Sequence, residues 1–388
     1  MPLANAYLRP GQREADEPSY PLRPMVCDNC LLVQLEALVS PEELFGDYAY
    51  FSSFSHTWLE HGERFARAAA AQLGLASESL VVEVASNDGY LLQHFMAMGV
   101  PVLGIEPAAN VAAVARSRGV TTETAMFGLG TAVPLRQRVG RADLVVANNV
   151  LAHVPDLHDF VAGLSAILAP SGVLSIEVPH LLCLIEETQF DTIYHEHFSY
   201  FSLRAAERAL SDHQLAVFDA EQLPTHGGSL RIWAAPVDAG RPVSDRLASV
   251  RDLEAQAGLG RIDTYAGFGS RVEACRCGVL DFLADARASG KSVVAYGAAA
   301  KGNTLLNYCG VSTDDISYVA DRSPEKQGRR LPGSHLPVEP PERIFETRPD
   351  YVVILPWNLR DEISRQLAAI DEWGGRFVTF APQVRVDG

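Results

Sequence analysis

Apolar and polar positions follow two alternating periods along the central part of the chain. Short runs of β-branched and other apolar residues predict buried strands, and segments of about ten residues with apolar positions at helical spacing separate them. The predicted order, strand first, is LVVEVAS, GYLLQHFMAMG, PVLGIEP, NVAAVARSRG, ADLVVANNV, LHDFVAGLSAIL and SGVLSIEVP. Strands that alternate with helices need crossover connections, so we predict a parallel, doubly wound α/β sheet.

The same pattern returns near residue 290, after a charged amphipathic stretch that predicts a long connecting helix or helix pair. A strand, a glycine turn and a helix are predicted in SVVAYGAAAKGNTLLNYCG, and further strands in ISYVADRSP, YVVILPW and RFVTFAP. We therefore predict three parts: a small irregular N-terminal module over 1–57, a nucleotide-fold domain over 58–240, and connecting helices with a second, smaller nucleotide-fold domain over 241–388.

Composition and charge exclude several classes of function. The 388 residues include 48 acidic and 32 basic side chains, and a net charge of −16 repels a nucleic-acid backbone. No apolar run approaches the about 18 residues of a membrane span, so we expect a soluble, cytoplasmic protein. The six cysteines are scattered without a disulfide framework, and only Cys27 and Cys30, spaced CxxC, suggest a metal site.

A first ligand site is predicted where the strand VVEV runs through SNDG into a helix. Backbone amides and a glycine at such a strand end allow a ligand to approach closely. Glu106, at the end of the next strand, can accept hydrogen bonds from both hydroxyls of a ribose. The GxGxxG of dinucleotide sites is absent, which favours S-adenosylmethionine over NAD. The predicted cofactor-binding residues are Glu83, Ser86, Asn87, Asp88, Gly89, Glu106, Pro107 and Asn148.

An alternative interpretation assigns no ligand to these residues. Asp88 would then cap a helix, Glu106 would be a surface charge, and Asn148 would cap the helix that follows its strand.

A second cluster of candidate chemistry lies in FDTIYHEHFSYFS, where His195 and His197 flank Glu196. Two imidazoles and a carboxylate suit several divalent ions. Adjacent residues project in different directions, however, and the HExxH spacing that aligns two imidazoles is missing. Proton transfer and a packed polar patch are the other two interpretations.

Seven strings in this order resemble one family. They are SSFSHTWLEHGERFA, VEVASNDGYLLQHF, GIEPAANVA, ANNVLAHVPD, QFDTIYHEHFSYFS, THGGSLRIW and AKGNTLLNYCG. The chain resembles the S-adenosylmethionine-dependent C-methyltransferases of nucleotide-linked deoxysugars in antibiotic pathways. The resemblance implies a small zinc-bearing module, a class I methyltransferase-type Rossmann-like domain, and a smaller Rossmann-like domain that helps to hold the nucleotide sugar. The implied substrate is a dTDP-linked 4-keto-2,6-dideoxyhexose, methylated on C3; methylation on C5 and the stereochemical course stay open.

The chemistry of that reaction gives roles to the second cluster. A ketone at C4 acidifies the C3 proton, and a base of near-neutral pKa is needed to remove it. By resemblance, His197 is the base, Glu196 orients it or binds the sugar, and Tyr194 lines the pocket. Tyr50 and His153 match other active-site positions of the family. His195 and the neighbouring aromatic residues are predicted to be pocket walls.

The second nucleotide-fold domain carries a predicted substrate site. By resemblance it serves the sugar nucleotide, through residues at its glycine turn and after its next strand; a purely structural role is the alternative. The motif lacks the GKS or GKT of a P-loop, so ATP hydrolysis is not expected. The predicted substrate-binding residues are Gly297, Lys301, Asn303 and Asp321.

The N-terminus departs from the family pattern, which normally has a second CxxC upstream of a PLAN-like segment. A closed zinc site needs four ligands, whereas Cys27 and Cys30 supply two. We therefore expect a zinc site with an incomplete ligand set. Either the start codon is placed late, or the zinc module is shortened. Two other functions stay open, an NAD-dependent nucleotide-sugar oxidoreductase or epimerase and a non-enzymatic sensor. We expect a monomer or weak homodimer.

Overall fold

The structure is a computed structural model that describes residues 1–40, Leu44 and 51–387. The chain divides into two compact units. The central unit comprises Val26–Leu181 and Glu196–Gly260, and the C-terminal unit comprises Met1–Met25, Leu182–His195 and Arg261–Gly388. Among the described helices, none combines the length and the apolar character needed to cross a membrane.

The central unit is built on a seven-stranded sheet with the order β5-β4-β3-β6-β7-β10-β9. The strands β3 to β7 are parallel, while β10 runs antiparallel to both of its neighbours. The strands of this unit, the first of which begins at its boundary, are β1 (Met25–Val26), β2 (Val33–Gln34), β3 (Val81–Val84), β4 (Val102–Ile105), β5 (Thr122–Glu123), β6 (Ala142–Asn148), β7 (Leu168–Pro179), β8 (Ser199–Tyr200), β9 (Leu215–Leu223) and β10 (Ser229–Pro236).

Helices cover both faces of this sheet, and each face has its own apolar core. One core contains Leu103, Val145 and Leu164, and the other contains Phe65, Phe95 and Leu144. The α-helices are α1 (His56–Leu73), α2 (Leu92–Ala97), α3 (Ala109–Ser117), α4 (Leu129–Val139), α5 (Leu157–Ile167), α6 (Leu181–Glu186, which crosses the boundary), α7 (Leu203–Ser211) and α8 (Asp245–Gln256); short 3-10 helices are Ser52–Phe54, Leu151–His153, Thr225–Gly227 and Val237–Ala239.

Helix α1 illustrates how the sequence sets the limits of an element. The Ser55 hydroxyl accepts a hydrogen bond from the amide of Trp58, which caps the N-terminus. At the other end, Gly74 adopts a left-handed conformation with φ of 66°, which favours glycine. The apolar residues of WLEHGERFARAAAAQL recur at helical spacing, which predicts a helix within these limits.

The C-terminal unit is built on a second sheet, of order β13-β12-β11-β14-β15-β16, in which only the last pair is antiparallel. Its strands are β11 (Val293–Tyr296), β12 (Val319–Ala320), β13 (Val338–Glu339), β14 (Tyr351–Ile354), β15 (Arg376–Thr379) and β16 (Arg385–Val386). Its helices are α9 (Asp263–Ala266), α10 (Phe268–Ala288), α11 (Ala300–Cys309), α12 (Glu342–Thr347) and α13 (Arg360–Gln366), with 3-10 helices at Glu14–Asp16, Phe190–Thr192, Trp357–Leu359 and Ala368–Trp373. Both doubly wound sheets that the sequence predicts are therefore present.

Two segments lie in units other than those that the sequence predicts. Helix α8, placed in the third part from the sequence, belongs to the central unit and packs on β9, because Leu247 and Val250 enter the central core. The first residues of the chain belong to the C-terminal unit, where the Tyr7 hydroxyl donates to the carbonyl of Ala298 at 2.6 Å. Long-range side-chain contacts of this kind leave no periodic signal in the sequence.

Candidate functional site

The loop between β3 and α2 lies at the carboxyl edge of the first parallel sheet. Ala85, Asn87 and Gly89 all have positive φ, so the chain turns sharply between strand and helix. A Cβ on Gly89 would lie 2.7 Å from the side chain of Val120, so glycine is required there for space as well as for conformation. This geometry brings the predicted SNDG segment to the edge where parallel sheets bind ligands.

Glu106, at the end of β4, holds that loop in place. One oxygen of its buried carboxylate accepts from the amide of Asn87 and the other from the amide of Ala108, both at 2.9 Å. Pro107 follows Glu106 directly between β4 and α3. The contact between Glu106 and the loop was not foreseen from the sequence, and binding of ribose hydroxyls by Glu106 stays a prediction.

Three carboxylates are concentrated at this edge. Glu83 is 1% exposed, and its Oε2 atom has no hydrogen-bond partner among the residues that the structure describes. Burial raises the pKa of Glu83 well above its ordinary value, and the charges of Glu106 and Asp88 raise it further. Burial also raises the pKa of Glu106, against the lowering effect of its two amide hydrogen bonds. Glu83 has no ion pair with a described cation, whereas Asp88 is paired with Arg118.

Other buried polar atoms at the same edge also lack a partner within the described part of the chain. They are Ser86 Oγ, Asp88 Oδ1 and Asn148 Oδ1. Buried polar groups in folded proteins are almost always satisfied, so a cluster of exceptions indicates a ligand or bound water. All three belong to the cofactor site predicted from the sequence.

The residues just before α1 are tied to the same loop. The amide of Ser52 donates to Asn87 Oδ1 at 2.8 Å, and the Ser53 hydroxyl donates to Asp88 Oδ2. Arg118 forms an ion pair with Asp88 at 3.0 Å and donates to Ser53 Oγ at 2.9 Å. One oxygen of Asp88 is thus used inside the protein, while the other lacks a partner.

A buried ionic cluster next to Asn148 was missed from the sequence. Glu177 stands opposite Asn148 in the β6–β7 register, and its carboxylate pairs with Arg231 at 2.7 Å and His61 at 3.0 Å and accepts from Thr225 at 2.9 Å. Burial would raise the pKa of Glu177, but the hydrogen bonds and charges of His61 and Arg231 lower it to about 2. The sequence feature that could have indicated this cluster is the glutamate within the apolar strand VLSIEVP.

The pair formed by His153 and His197 is the main feature of the second predicted cluster. The two rings meet edge to face, with centroids 4.7 Å apart. His153 Nδ1 lies 2.8 Å from the carbonyl oxygen of Glu196. Because a carbonyl only accepts, Nδ1 carries the proton and Nε2 is left as an acceptor. Burial lowers the pKa of His153 to about 4, partly opposed by that hydrogen bond, so the ring is neutral near pH 7.

Three other residues that the sequence assigned to the active site or its walls lie in the C-terminal unit or outside the described residues. Tyr194 and His195 belong to the C-terminal unit. His195 Nε2 donates to the carbonyl of Pro21 at 3.0 Å, and its ring meets Tyr20 edge to face. His195 thus satisfies a backbone carbonyl, which agrees with its interpretation as a wall. Tyr50 lies outside the described residues.

In the C-terminal unit, the predicted turn is closed by its own contacts. Gly297 has φ of 90°, and a Cβ there would collide with the ring of Pro356. The amide of Ala298 donates to Asp321 Oδ2 at 2.7 Å, and the amide of Ser323 donates to Asp321 Oδ1 at 2.8 Å. In this conformation the Asp321 carboxylate and the amide of the turn are hydrogen-bonded to each other and not to a nucleotide.

The other two predicted substrate residues, Lys301 and Asn303, also form hydrogen bonds within the protein. Lys301 donates to Asn358 at 2.7 Å and lies over the ring of Trp357, and Asn303 donates to the carbonyl of Ala4 at 2.5 Å. Burial lowers the pKa of Lys301, and the nearby Asp191 opposes that effect. Substrate binding by these residues stays a prediction, and it would require some of these bonds to be exchanged.

The CxxC pair forms a tight turn between β1 and β2. Hydrogen bonds from the amides of Cys30 and Asn29 lower the pKa of Cys27, which favours its thiolate. Across residues 1–40, 44 and 51–387, however, no group of three or more His, Cys, Asp or Glu side chains could hold a metal ion. The described residues therefore do not fit a closed four-ligand zinc site.

Three family models match the chain. One described as "Methyltransferase domain" matches residues 58–220, one described as "C-methyltransferase C-terminal domain" matches 224–382, and one described as "Putative zinc binding domain" matches 1–45. The first covers most of the seven-stranded sheet. The predicted class I methyltransferase-type Rossmann-like fold, with a second such domain, is thereby confirmed.

Individual proteins are also similar to the chain. C-methyltransferase NovU of Streptomyces niveus is 38% identical over 385 residues, which is 99% of this chain and 92% of that protein. A ubiquinone biosynthesis O-methyltransferase of Rhodopseudomonas palustris (strain BisB18) is 27% identical over 28% of this chain and 42% of its own length. The structure of magnesium protoporphyrin IX methyltransferase from Synechocystis PCC 6803 with bound SAM aligns at a TM-score of 0.35 and 15% identity, over 50% of this chain and 88% of that one.

Proposed function

This chain belongs to the family of S-adenosylmethionine-dependent C-methyltransferases, and we propose that it methylates C3 of a dTDP-linked 4-keto-deoxyhexose, in deoxysugar biosynthesis for a glycosylated natural product. The observation that supports this most is the contact between neutral His153 and His197. It brings two imidazoles together, and because burial lowers the pKa of His153 to about 4, that ring is a weak base near neutral pH and His197 is the candidate for accepting the proton. Loss of a proton from the carbon next to a ketone is the step that such a group assists.

The carboxyl edge of β3, β4 and β6 fits the methyl donor. S-adenosylmethionine supplies an electrophilic methyl group on a positively charged sulfur, and it also carries an ammonium group. Glu83, with its partnerless oxygen, is the proposed partner of positive charge, and Glu106 is the proposed partner of the ribose hydroxyls. Asn87, Asp88, Gly89 and Asn148 are proposed to line the remainder of that pocket, beside Ser86 and Pro107.

His197 is the proposed base. It takes the C3 proton, and the electrons of that bond move into an enolate that the C4 oxygen stabilises. His153 holds its proton on Nδ1 through the Glu196 carbonyl, so it fixes the main chain next to His197 and contacts its ring. Glu196 is proposed to orient His197 or to bind the sugar, and Tyr194 to line the pocket. Tyr50 is retained as a candidate active-site residue.

Binding of the nucleotide is proposed for the C-terminal unit, as the resemblance implies. Lys301, Asn303, Gly297 and Asp321 stay candidates at its glycine turn. Zinc is not assigned to any step, because among the described residues Cys27 and Cys30 are not joined by a third possible ligand.

The proposal is tested by incubating the full chain with S-adenosylmethionine and a panel of dTDP-4-keto-deoxyhexoses and measuring the mass of the sugar nucleotide. A gain of one methylene is expected for at least one sugar, followed by loss of about 100-fold or more in rate for His197→Gln. His195→Gln is the matched control, because its side chain can still donate to Pro21. No gain with any sugar, from a chain that binds S-adenosylhomocysteine, would contradict the substrate class.

A further inference from the structure

A cavity of about 480 Å³ lies in the C-terminal unit, away from the closed glycine turn. Its lining begins where three neighbouring parallel strands end: Tyr296 closes β11, Arg322 follows β12, and Pro340 follows β13. Ligands of doubly wound sheets bind outside the carboxyl ends of the strands. The volume is in the ordinary range for small-molecule sites, which is roughly 300–1,000 Å³.

Two hydrogen-bonding groups in this cavity are not used by the protein. Tyr296 is 5% exposed, and its hydroxyl makes no hydrogen bond within the described part of the chain. Arg322 is an exposed residue whose guanidinium has neither an ion pair nor a hydrogen bond to any described residue. Burial raises the pKa of the Tyr296 phenol, and the nearby Arg322 lowers it. Residues at the closed turn differ, since each of them is already engaged.

The charge of the cavity selects against a polyphosphate. Arg322 is the one cation among the lining residues, whereas Glu342 lines the cavity and the carboxylates of Asp321 and Glu362 also act on Tyr296. A dianionic group would meet more negative than positive charge. A neutral polar group that offers both acceptors and a donor would be better matched.

An aromatic ring completes the lining. Phe345 is 36% exposed, which is unusual for so large an apolar side chain, and it packs edge to face on Trp373 with centroids 6.0 Å apart. Trp373 is itself fixed by a hydrogen bond from Nε1 to the carbonyl of Pro349. The structure therefore holds an exposed aromatic surface against which a planar ligand can stack.

We propose that this cavity binds the pyrimidine base of the nucleotide that carries the sugar. The edge of a pyrimidine-2,4-dione presents acceptor, donor and acceptor in turn. Arg322 and the Tyr296 hydroxyl donate to its carbonyl oxygens, Glu342 accepts from its N–H, and Phe345 stacks on the ring. The inference rests on the proposed function, which supplies a nucleotide-linked substrate, and it assigns the base to residues that the sequence did not single out.

The test is calorimetric titration of the full chain with thymidine 5′-diphosphate. Arg322→Ala should weaken binding about tenfold or more, because it removes a charge-assisted donor, and Tyr296→Phe should weaken it about threefold. Arg365→Ala is the matched control, since it removes the same charge from an exposed position outside the lining. It should leave the affinity within about twofold. Affinity for S-adenosylhomocysteine should be equal in all four proteins.

Adenosine 5′-diphosphate tests the base itself, because it carries the same phosphates on a purine. We expect it to bind at least about tenfold more weakly than the thymidine compound. Equal affinity of the two nucleotides, or wild-type affinity in both Arg322→Ala and Tyr296→Phe, would overturn the cavity assignment and leave the proposed function standing. Failure of the wild-type chain to bind thymidine 5′-diphosphate would overturn the assignment together with the substrate class. Tyr296→Phe loses one hydroxyl only, so it decides the matter if Arg322→Ala does not fold.

Discussion

At the scale of one residue, Glu83 is a buried carboxylate with one oxygen that has no partner among the described residues. Its pKa lies above the unfolded value, so ionisation at neutral pH opposes folding. Glu83→Gln should therefore raise the free energy of unfolding of the ligand-free protein at pH 7–8 by about 1 kcal/mol or more, and weaken S-adenosylmethionine about tenfold. Chemical denaturation and calorimetric titration measure the two effects.

Glu63→Gln is the control for that experiment, because Glu63 is paired with Arg67 on the surface of α1 and its side chain is 44% exposed. It changes the net charge equally and should move neither quantity by much. A Glu83→Gln protein that binds the donor as tightly as wild type would remove Glu83 from the site.

His153 gives a second prediction at this scale, from its pKa of about 4 against 6.5 in the unfolded chain. Between pH 6.5 and 4, His153 is protonated in the unfolded chain but stays neutral in the folded protein. The contribution of His153 to stability is therefore lost as the pH falls. The free energy of unfolding should drop by up to about 1.4 kcal/mol per pH unit across this window.

His153→Asn removes the titrating group and keeps a donor for the Glu196 carbonyl. Its unfolding should depend less on pH between 4 and 6.5, as followed by urea denaturation at several pH values. An unchanged slope would show that His153 is not buried in its neutral form.

At the scale of elements, the loop between β3 and α2 depends on Gly89. Gly89 and Gly99 both have φ near 77°, at 78° and 76°, but only at Gly89 would a Cβ meet another side chain. The free energy of unfolding should fall by about 1 kcal/mol in both alanine variants, because alanine is strained at this positive φ. In Gly89→Ala it should fall by about 1–3 kcal/mol more, because the added Cβ collides with Val120. Thermal unfolding compares the two, and equal losses would contradict the close approach.

Some features at this scale could be predicted from the sequence and others could not. Period and turn residues predicted both sheets and α1, because burial of a strand or helix face leaves a repeating pattern. The ionic cluster of Glu177, His61 and Arg231 was not predictable in that way. Its members come from α1, β7 and β10, and nothing in the spacing of the three indicates that they meet.

The glycine turn of the C-terminal unit shows the other limit. The sequence predicted a substrate site at this turn; the turn exists, and in this conformation Asp321 accepts from its amide and Pro356 lies against Gly297. A glycine can leave space either for a ligand or for the ring of a neighbouring side chain. Which of the two applies depends on contacts between residues that are distant in sequence. The unused donors of Arg322 and Tyr296 became visible only in the folded chain.

At the scale of the whole molecule, the N-terminal residues are part of the unit formed by the end of the chain. Tyr7→Phe removes the hydrogen bond to Ala298 and should lower the stability of the C-terminal unit by about 1 kcal/mol. Tyr20→Phe serves as a comparison, since the Tyr20 ring contact with His195 does not need a hydroxyl. Calorimetry should show the loss without any change in affinity for S-adenosylhomocysteine, and a weakened affinity would contradict this assignment.

We propose that His197 removes one proton, the one on the carbon next to the ketone. The most direct measurement follows that proton by NMR in D₂O, with the full chain, S-adenosylhomocysteine and a dTDP-4-keto-deoxyhexose. The wild-type chain should exchange the C3 proton for deuterium at a rate that His197→Gln lowers about 100-fold or more and His195→Gln leaves unchanged. Equal exchange by wild type and His197→Gln would contradict the account.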